Sequence, residues 1–219
     1  MTRGHRAGHT VLCLAVALSA VVCATAAAQT PAPASTLSAL KRTGLFLSGA
    51  AAGLGIHESG HVLFGAALGA HPRVVRLDDG PVPFFAIHHD DVSRRREFVI
   101  SSAGFWMQHA GSEWLLSSRP HLKDEHAPFV KGVLAFNIGT SVLYGVSAFG
   151  RFGPPERDPR STAASLGRRG VPEPYMGALV LAPALLDWYR YEHGDARGPR
   201  WASRSVKLAA VLLTFAAGW

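Results

Sequence analysis

A run of 27 mostly apolar residues, 44–70, carries two histidines and a glutamate near its middle, and this combination most limits how the chain can fold. A helix of this length is long enough to cross a hydrocarbon core about 30 Å thick. The only ionisable residues of the run are His57, Glu58 and His61. Ionisable side chains are costly in lipid and usually serve a function there. The run therefore predicts a membrane helix that carries a functional cluster.

The composition of the whole chain favours the same class. Hydrophobic residues make up 48% and charged residues 17%, against about 25% charged residues in an ordinary soluble domain. A disordered chain is excluded, because disorder needs low hydrophobicity and high charge. The net charge of +7 could suggest a nucleic-acid partner. However, basic groups such as 94–96 and 168–169 lie beside apolar runs, as in the cytoplasmic loops of membrane proteins, so we expect no nucleic-acid partner.

The N-terminal residues 1–28 are typical of a secretory signal peptide, with an uncleaved anchor helix as the alternative. A basic start is followed by an apolar stretch too short to span comfortably, and Ala26 and Ala28 form an A-x-A cleavage site. Both cysteines, Cys13 and Cys23, lie in this segment. A processed chain would therefore have no disulfide and no cysteine nucleophile.

The remaining chain divides into a Pro/Ala/Ser-rich linker, 29–43, and a membrane-embedded domain, 44–219. We predict an all-α polytopic membrane protein with about four or five transmembrane or partly inserted helices and a small β-hairpin. Pro72 is expected to end the first helix. The further segments expected are two short strands at 74–77 and 82–87 joined by a turn at 78–81, helices at 98–118, 129–150 and 174–191, a polar loop at 151–171 and a last apolar segment at 206–219.

The cluster in the first helix matches the pattern H-E-x-x-H. His57 and His61 are four residues apart, so a helix projects both imidazoles from nearly the same side. Two neutral imidazoles can hold one zinc ion. Glu58 can then act as general base toward a water molecule at the metal. The alternative is a buried polar helix contact without metal.

A catalytic zinc usually has three protein ligands, so a third must come from elsewhere in the chain. Our first choice is Asp187, in an apolar stretch where Pro183 is expected to break the helix. Its alternative role is a carboxylate that pairs with Arg190. The rival ligand is Glu113, which shares a helix face with His109. Its alternative role is that of a helix-end residue near the lipid headgroups.

Three further polar residues are expected to have lesser roles. We expect the adjacent His88 and His89 to be solvated or weak ligands. Asn137 could orient substrate, but an interhelical hydrogen bond is an equal expectation.

Three stretches of the chain together resemble the site-2 protease family of intramembrane zinc metalloproteases: HESGHVLFGAALG, EFVISSAGFWMQHAG and LVLAPALLDWYRY. The resemblance implies that His57, His61 and Asp187 bind zinc and that Glu58 is catalytic. It also implies that the hairpin receives substrate as an added strand. The chain departs from the family at three places. Ala103-Gly104-Phe105 stands in place of A-G-P, and Leu179 stands in place of an asparagine. Trp188 follows Asp187 where the family has a glycine.

The expected function is that of a zinc-dependent endopeptidase that hydrolyses peptide bonds of membrane-anchored protein substrates. Its expected surroundings are the lipid of a bacterial inner (plasma) membrane. The alternative is a non-catalytic metal-binding or structural membrane protein.

Overall fold

The computed structural model describes residues 36–77, 84–153, 157–166, 169–194 and 196–217. The described residues form six helices and two strands, and the predicted mostly helical fold with a small hairpin is confirmed. The predicted signal peptide, 1–28, lies outside the described residues. The elements are α1 (Thr36–Ala67), β1 (Arg73–Leu77), β2 (Phe84–His88), α2 (Arg94–Ser118), α3 (Pro128–Gly150), α4 (Asp158–Ser165), α5 (Glu173–His193) and α6 (Arg197–Ala217).

Helix α1 is longer at its start than the apolar run that predicts it. It begins at Thr36, within the predicted linker, because the leucine, alanine and lysine residues that follow are good helix formers. Its end is set before Pro72. Gly69 adopts a left-handed conformation (φ 69°), and the Ala70 N–H donates to the carbonyl of Gly65 at 2.8 Å, a usual way to close a helix.

The predicted hairpin is confirmed, and it lies beside the end of α1. Strands β1 and β2 pair antiparallel, with Arg73 opposite His88 and Leu77 opposite Phe84. The predicted turn at 78–81 lies outside the described residues. After β2, the Asp90 N–H donates to the carbonyl of Ala70 at 2.9 Å, which ties the exit of the hairpin to the end of α1.

Helices α1 and α3 pack backbone to backbone at two glycines. A Cβ atom added to Gly49 would overlap the carbonyl oxygen of Phe129, and one added to Gly132 would overlap that of Phe46. Small residues permit this close approach in helix pairs. Because α1 is fixed against α3 in this way, the polar cluster of α1 is held inside the bundle.

Helix α5 continues through Pro183, so the predicted break is wrong. Proline removes one backbone hydrogen bond, but contacts on both sides keep the helix in place. Before the proline, Gly177 lies against Ala148 of α3, at 2.7 Å from an added Cβ to the Ala148 Cβ. After it, Asp187 and Arg190 are buried in contact with other helices.

The segment 151–171, predicted as a polar loop, contains the short helix α4. This helix begins at Asp158 and has Pro159 in its first turn. Its buried residues include Ala163, which packs in a cluster with Phe98 of α2 and Met176 of α5. Burial of this small apolar face gives α4 the tertiary support that an eight-residue helix needs.

Exposed apolar side chains and buried polar side chains both occur on the helices. Large apolar side chains are exposed on α1, α3, α5 and α6, while polar side chains of the helices are buried between them. The exposed residues include Leu47, Leu63, Phe64, Phe149, Leu185, Trp201, Leu208, Leu212 and Leu213, and the buried ones include His57, His61, Gln108, His109, Asn137, Ser141, Asp187, Arg190, Ser203 and Lys207.

Helix α3 is long and apolar enough to cross a membrane, and no other helix of the described residues meets both criteria. Half of its apolar stretch is buried within the protein. A helix of this kind is found both in membrane proteins and in the cores of soluble proteins.

Candidate metal centre

The two histidines of the H-E-x-x-H pattern face one point inside the bundle. His57 is 2% exposed and His61 is 7% exposed. Their Nε2 atoms are 3.2 Å apart, as the spacing of one helical turn predicts. Both imidazoles therefore present a ring nitrogen to the same small volume.

The hydrogen bond at the far side of His61 fixes which of its nitrogens can bind a metal. Its Nδ1 lies 2.8 Å from the carbonyl oxygen of Ile100, which can only accept, so Nδ1 carries the proton in the neutral ring. The Nε2 lone pair then points toward His57. Metal-binding histidines are held in this way by a backbone carbonyl or a carboxylate at their other nitrogen.

A carboxylate from α4 completes the group. Asp158 Oδ2 lies 3.0 Å from the Nε2 atom of His57 and 3.4 Å from that of His61. Among the described residues these are the three side chains close enough together to share one ion. Ligand atoms around a tetrahedral zinc ion at 2.0–2.1 Å are about 3.3–3.4 Å apart. The three separations, 3.0, 3.2 and 3.4 Å, lie within about 0.3 Å of this spacing, so a small outward shift of the side chains would fit them to a zinc ion.

The surroundings of Asp158 favour its ionised form. In the metal-free protein, burial would raise the pKa of this carboxyl, but hydrogen bonds donated by ring N–H groups of His57 and His61 outweigh burial and hold its pKa well below the ordinary value. An ionised carboxylate is the form that binds a metal.

Glu58 lies half-buried next to this group. It is near enough to His57, His61 and Asp158 to interact electrostatically with all three. It is not a member of the three-residue set. Glu58 therefore lies beside the group rather than within it.

The walls of the site are aromatic and closely packed. The Tyr144 ring stacks on His57 with 6.1 Å between ring centroids, and the Phe105 ring meets His57 edge to face at 5.9 Å. On the third side is the backbone of Gly104. A ring enclosed in this way has little freedom to turn, which favours a fixed ligand geometry.

Asp187, the predicted third ligand, is not part of the group, and the structure has Asp158 beside the two histidines instead. Its Oδ1 accepts hydrogen bonds from Lys207 at 2.7 Å and from Ser203 at 3.0 Å. Arg190 lies 3.7 Å away. A buried carboxylate needs a positive partner, and here lysine fills that role. The alternative weighed for Asp187, pairing with Arg190, is close to what the structure has, with Lys207 as the nearer cation.

Glu113, the rival candidate, is also engaged elsewhere. Its carboxylate binds Arg190 at 2.6 Å, Arg204 at 2.8 Å and Lys207 at 3.0 Å. It thus belongs with Asp187 to one charged cluster between α2, α5 and α6. His109, on the same helix, is buried but lies outside the three-residue group.

The remaining polar candidates also lie outside the group. His89 is 3.3 Å from Glu97, and His88 is half-buried in β2. Asn137 donates to the Gln108 carbonyl at 3.2 Å and to Ser112 at 3.1 Å. It therefore makes the interhelical hydrogen bond that was weighed against a role toward substrate.

Asp158 is the site residue that the sequence reasoning missed. Its segment is polar and rich in arginine and proline, which led to its prediction as a loop. One local signal was available: an acidic residue followed by proline is typical of the first turn of a helix. That signal predicts the helix but not its position beside the histidines.

Comparison with known protein families, with characterised proteins and with solved structures gives no match to this chain.

Proposed function

We propose that this protein is a zinc-dependent endopeptidase that hydrolyses peptide bonds of membrane-anchored substrates. One observation carries the proposal: His57, His61 and Asp158 present three donor atoms at the mutual spacing of a zinc ligand set, with Glu58 beside them. Three protein ligands with a neighbouring acid are typical of catalytic zinc sites. The ligand set is the predicted one with Asp158 in place of Asp187.

Each residue has a defined task in the proposed reaction. His57, His61 and Asp158 would hold the zinc ion. When bound, zinc supplies Lewis acidity, which lowers the pKa of water toward about 7. Glu58 would accept the proton of the attacking water and deliver it to the nitrogen of the departing amine. The enclosing rings of Tyr144 and Phe105 would limit access of bulk water.

The arrangement of polar and apolar side chains supports a membrane setting. Exposed leucine and aromatic residues lie on four of the helices, α1, α3, α5 and α6, and exposed apolar surface of this kind can mark contact with a membrane. Ionisable residues within membrane helices face the bundle interior and pair with one another, as Asp187 and Lys207 do. The buried polar side chains of α1 and α5 lower the mean hydropathy of these two helices, although these side chains do not face outward. We therefore infer an integral protein of a plasma membrane.

The hairpin supports a substrate with an extended backbone. A two-stranded sheet leaves an outer edge on each strand, and an extended peptide can add to such an edge. Val74 in β1 is exposed, and the hairpin lies next to the end of α1, the helix that carries Glu58. A membrane-anchored segment that unwinds locally would offer the required backbone.

The decisive experiment compares the purified chain with Glu58→Gln in detergent. We expect both proteins to retain about one zinc ion per chain by elemental mass spectrometry. Only the unchanged chain should cleave a fluorogenic peptide joined to a transmembrane segment. Glu125→Gln is the matched control, because Glu125 pairs with Arg119 at the protein surface, and it should cleave normally.

Three outcomes would contradict the proposal. Absence of zinc from the unchanged chain would remove the metal centre. Zinc retention together with equal cleavage by the chain and by Glu58→Gln would remove the assigned general base. Zinc retention with no cleavage of any substrate would favour the non-catalytic metal-binding alternative.

A further inference from the structure

Asp158 reaches the two histidines from a segment that is itself anchored by a buried ion pair. Its neighbour Arg157 is 9% exposed. The guanidinium donates from Nε and from one terminal nitrogen to the two oxygens of Glu173, each at 2.6 Å. This bidentate arrangement fixes the orientation of the arginine as well as its position.

The ion pair acts at the point where α4 begins. Arg157 is the residue that precedes the first turn of α4, and Asp158 is the first residue of that helix. Glu173 is the first residue of α5. The pair therefore joins the starts of two helices, and one peptide bond separates the fixed arginine from the ligand carboxylate.

A second contact holds the body of α4 beside the other side of the site. Thr162 Oγ1 donates to Ser101 Oγ at 3.0 Å, and both side chains are buried. Ser101 follows Ile100, whose carbonyl orients His61. Helix α4 is thus fixed to α5 at its start and to α2 one turn later. Asp158 is the first residue of this fixed helix, and its carboxylate reaches the two histidines.

We propose that the Arg157–Glu173 ion pair is a positioning device for the third metal ligand. This inference rests on the proposed function insofar as it assumes that the chain binds zinc. Arg157 and Glu173 act through Asp158 and touch neither metal nor substrate. Weakening the pair lets the start of α4 shift, and the Asp158 carboxylate then loses its spacing from the two imidazoles. Changes to residues that orient metal ligands typically lower metal affinity by about 10–100-fold.

The test measures the zinc dissociation constant of the full-length chain in detergent, by competition with a chromophoric chelator. We expect Glu173→Gln and Arg157→Lys each to raise this constant about 10–100-fold. The exchanged pair, Arg157→Glu with Glu173→Arg, should recover part of the affinity. The control Glu125→Gln removes a carboxylate from an exposed ion pair and should leave the constant unchanged.

A double-mutant cycle separates positioning from general support of the fold. If the pair acts through Asp158, then Glu173→Gln should have no further effect on zinc affinity once Asp158→Ala is present. The visible spectrum of the Co²⁺-loaded chain gives a second measure, because it responds to the number and geometry of the ligands. The unfolding temperature of the metal-free protein shows whether each variant is folded.

The outcomes for this inference and for the proposed function are distinct. An unchanged chain that binds no zinc overturns both. If the unchanged chain binds zinc and the zinc dissociation constants of the variants lie within twofold of its own, the positioning role alone is overturned. The positioning role is also overturned if Glu173→Gln lowers zinc affinity equally in the unchanged chain and in Asp158→Ala, because the effect would then not act through Asp158.

Discussion

The backbone of Gly104 lies directly against the His57 imidazole: a Cβ atom at Gly104 would be 2.5 Å from Cε1 of the ring. Contacts under 3.0 Å to a Cβ essentially never occur. Tyr144 stacks on the ring and Phe105 meets it edge to face, so these two aromatic rings limit where the imidazole can move. The small residue at 104 is therefore part of the geometry of the site.

We expect Gly104→Ala to lower zinc affinity by about tenfold or more, because the added methyl group displaces His57. The measurement is the zinc dissociation constant by chelator competition. The control is Gly111→Ala on the same helix, where the nearest atom is 3.7 Å from the added Cβ. That change should leave affinity unaltered and slightly raise stability, because alanine favours helix over glycine. Equal affinity of both variants would show that His57 is not confined by Gly104.

Asp158→Asn and Asp187→Asn should affect different properties: the first should lower zinc binding, and the second should lower stability. Asp158→Asn replaces a ligand carboxylate, so we expect zinc affinity to fall by more than about 100-fold. Asp187→Asn should retain zinc but lower the unfolding temperature, because Lys207 loses its buried counter-charge. Elemental analysis and thermal unfolding measure the two properties. Loss of zinc in Asp187→Asn alone would restore Asp187 as the ligand.

Lys207→Met should destabilise the protein by about 3 kcal/mol, because Asp187 and Glu113 each lose a cation at 2.7 and 3.0 Å. The double variant Asp187→Leu with Lys207→Met should recover much of this loss, since a matched apolar pair often replaces a buried ion pair at little cost. Denaturant unfolding in detergent gives both values. Additive losses in the double variant would show that the two residues are not coupled.

The hairpin exit carries a pH-dependent contact. Hydrogen bonds from Arg73 and His71 hold the pKa of Asp90 below its ordinary value. The ionised carboxylate therefore contributes to the folded state above the unfolded pKa, and this contribution disappears as the pH falls through the lower folded value. We expect Arg73→Ala to raise the pKa of Asp90 toward about 3.9, as measured by NMR of the carboxyl carbon. Arg119→Ala should not change it, and an unchanged midpoint in Arg73→Ala would exclude the contact in solution.

The helices and the histidine pair could be predicted because they depend on local patterns. Apolar runs bounded by polar or proline-containing segments marked α2, α3 and α5 within a few residues of their observed ends. The four-residue spacing of His57 and His61 determines that they share a face of any helix. Neither conclusion needs knowledge of the tertiary structure.

The third ligand could not be predicted in the same way, because it depends on the path of the chain between helices. Asp158 lies 101 residues from His57 in sequence, and its own segment is polar. Asp187 is predicted as the ligand because it lies in an apolar stretch near Pro183 and matches the resemblance. A buried carboxylate can pair either with a metal ion or with a lysine such as Lys207, 20 residues further on.

The buried pairing of Asp187 with Lys207 has a consequence for biosynthesis. In the proposed membrane setting, α6 alone would bring the ammonium group of Lys207 into lipid without a counter-charge, at a cost of about 2.5–3.5 kcal/mol. Helix α5 alone would bring in the Asp187 carboxylate with only Arg190, 3.7 Å away, beside it. When α5 and α6 are already packed together, the charges of Asp187 and Lys207 neutralise each other. The insertion machinery should therefore release them laterally as one unit, and a chain truncated between them should leave α5 poorly integrated.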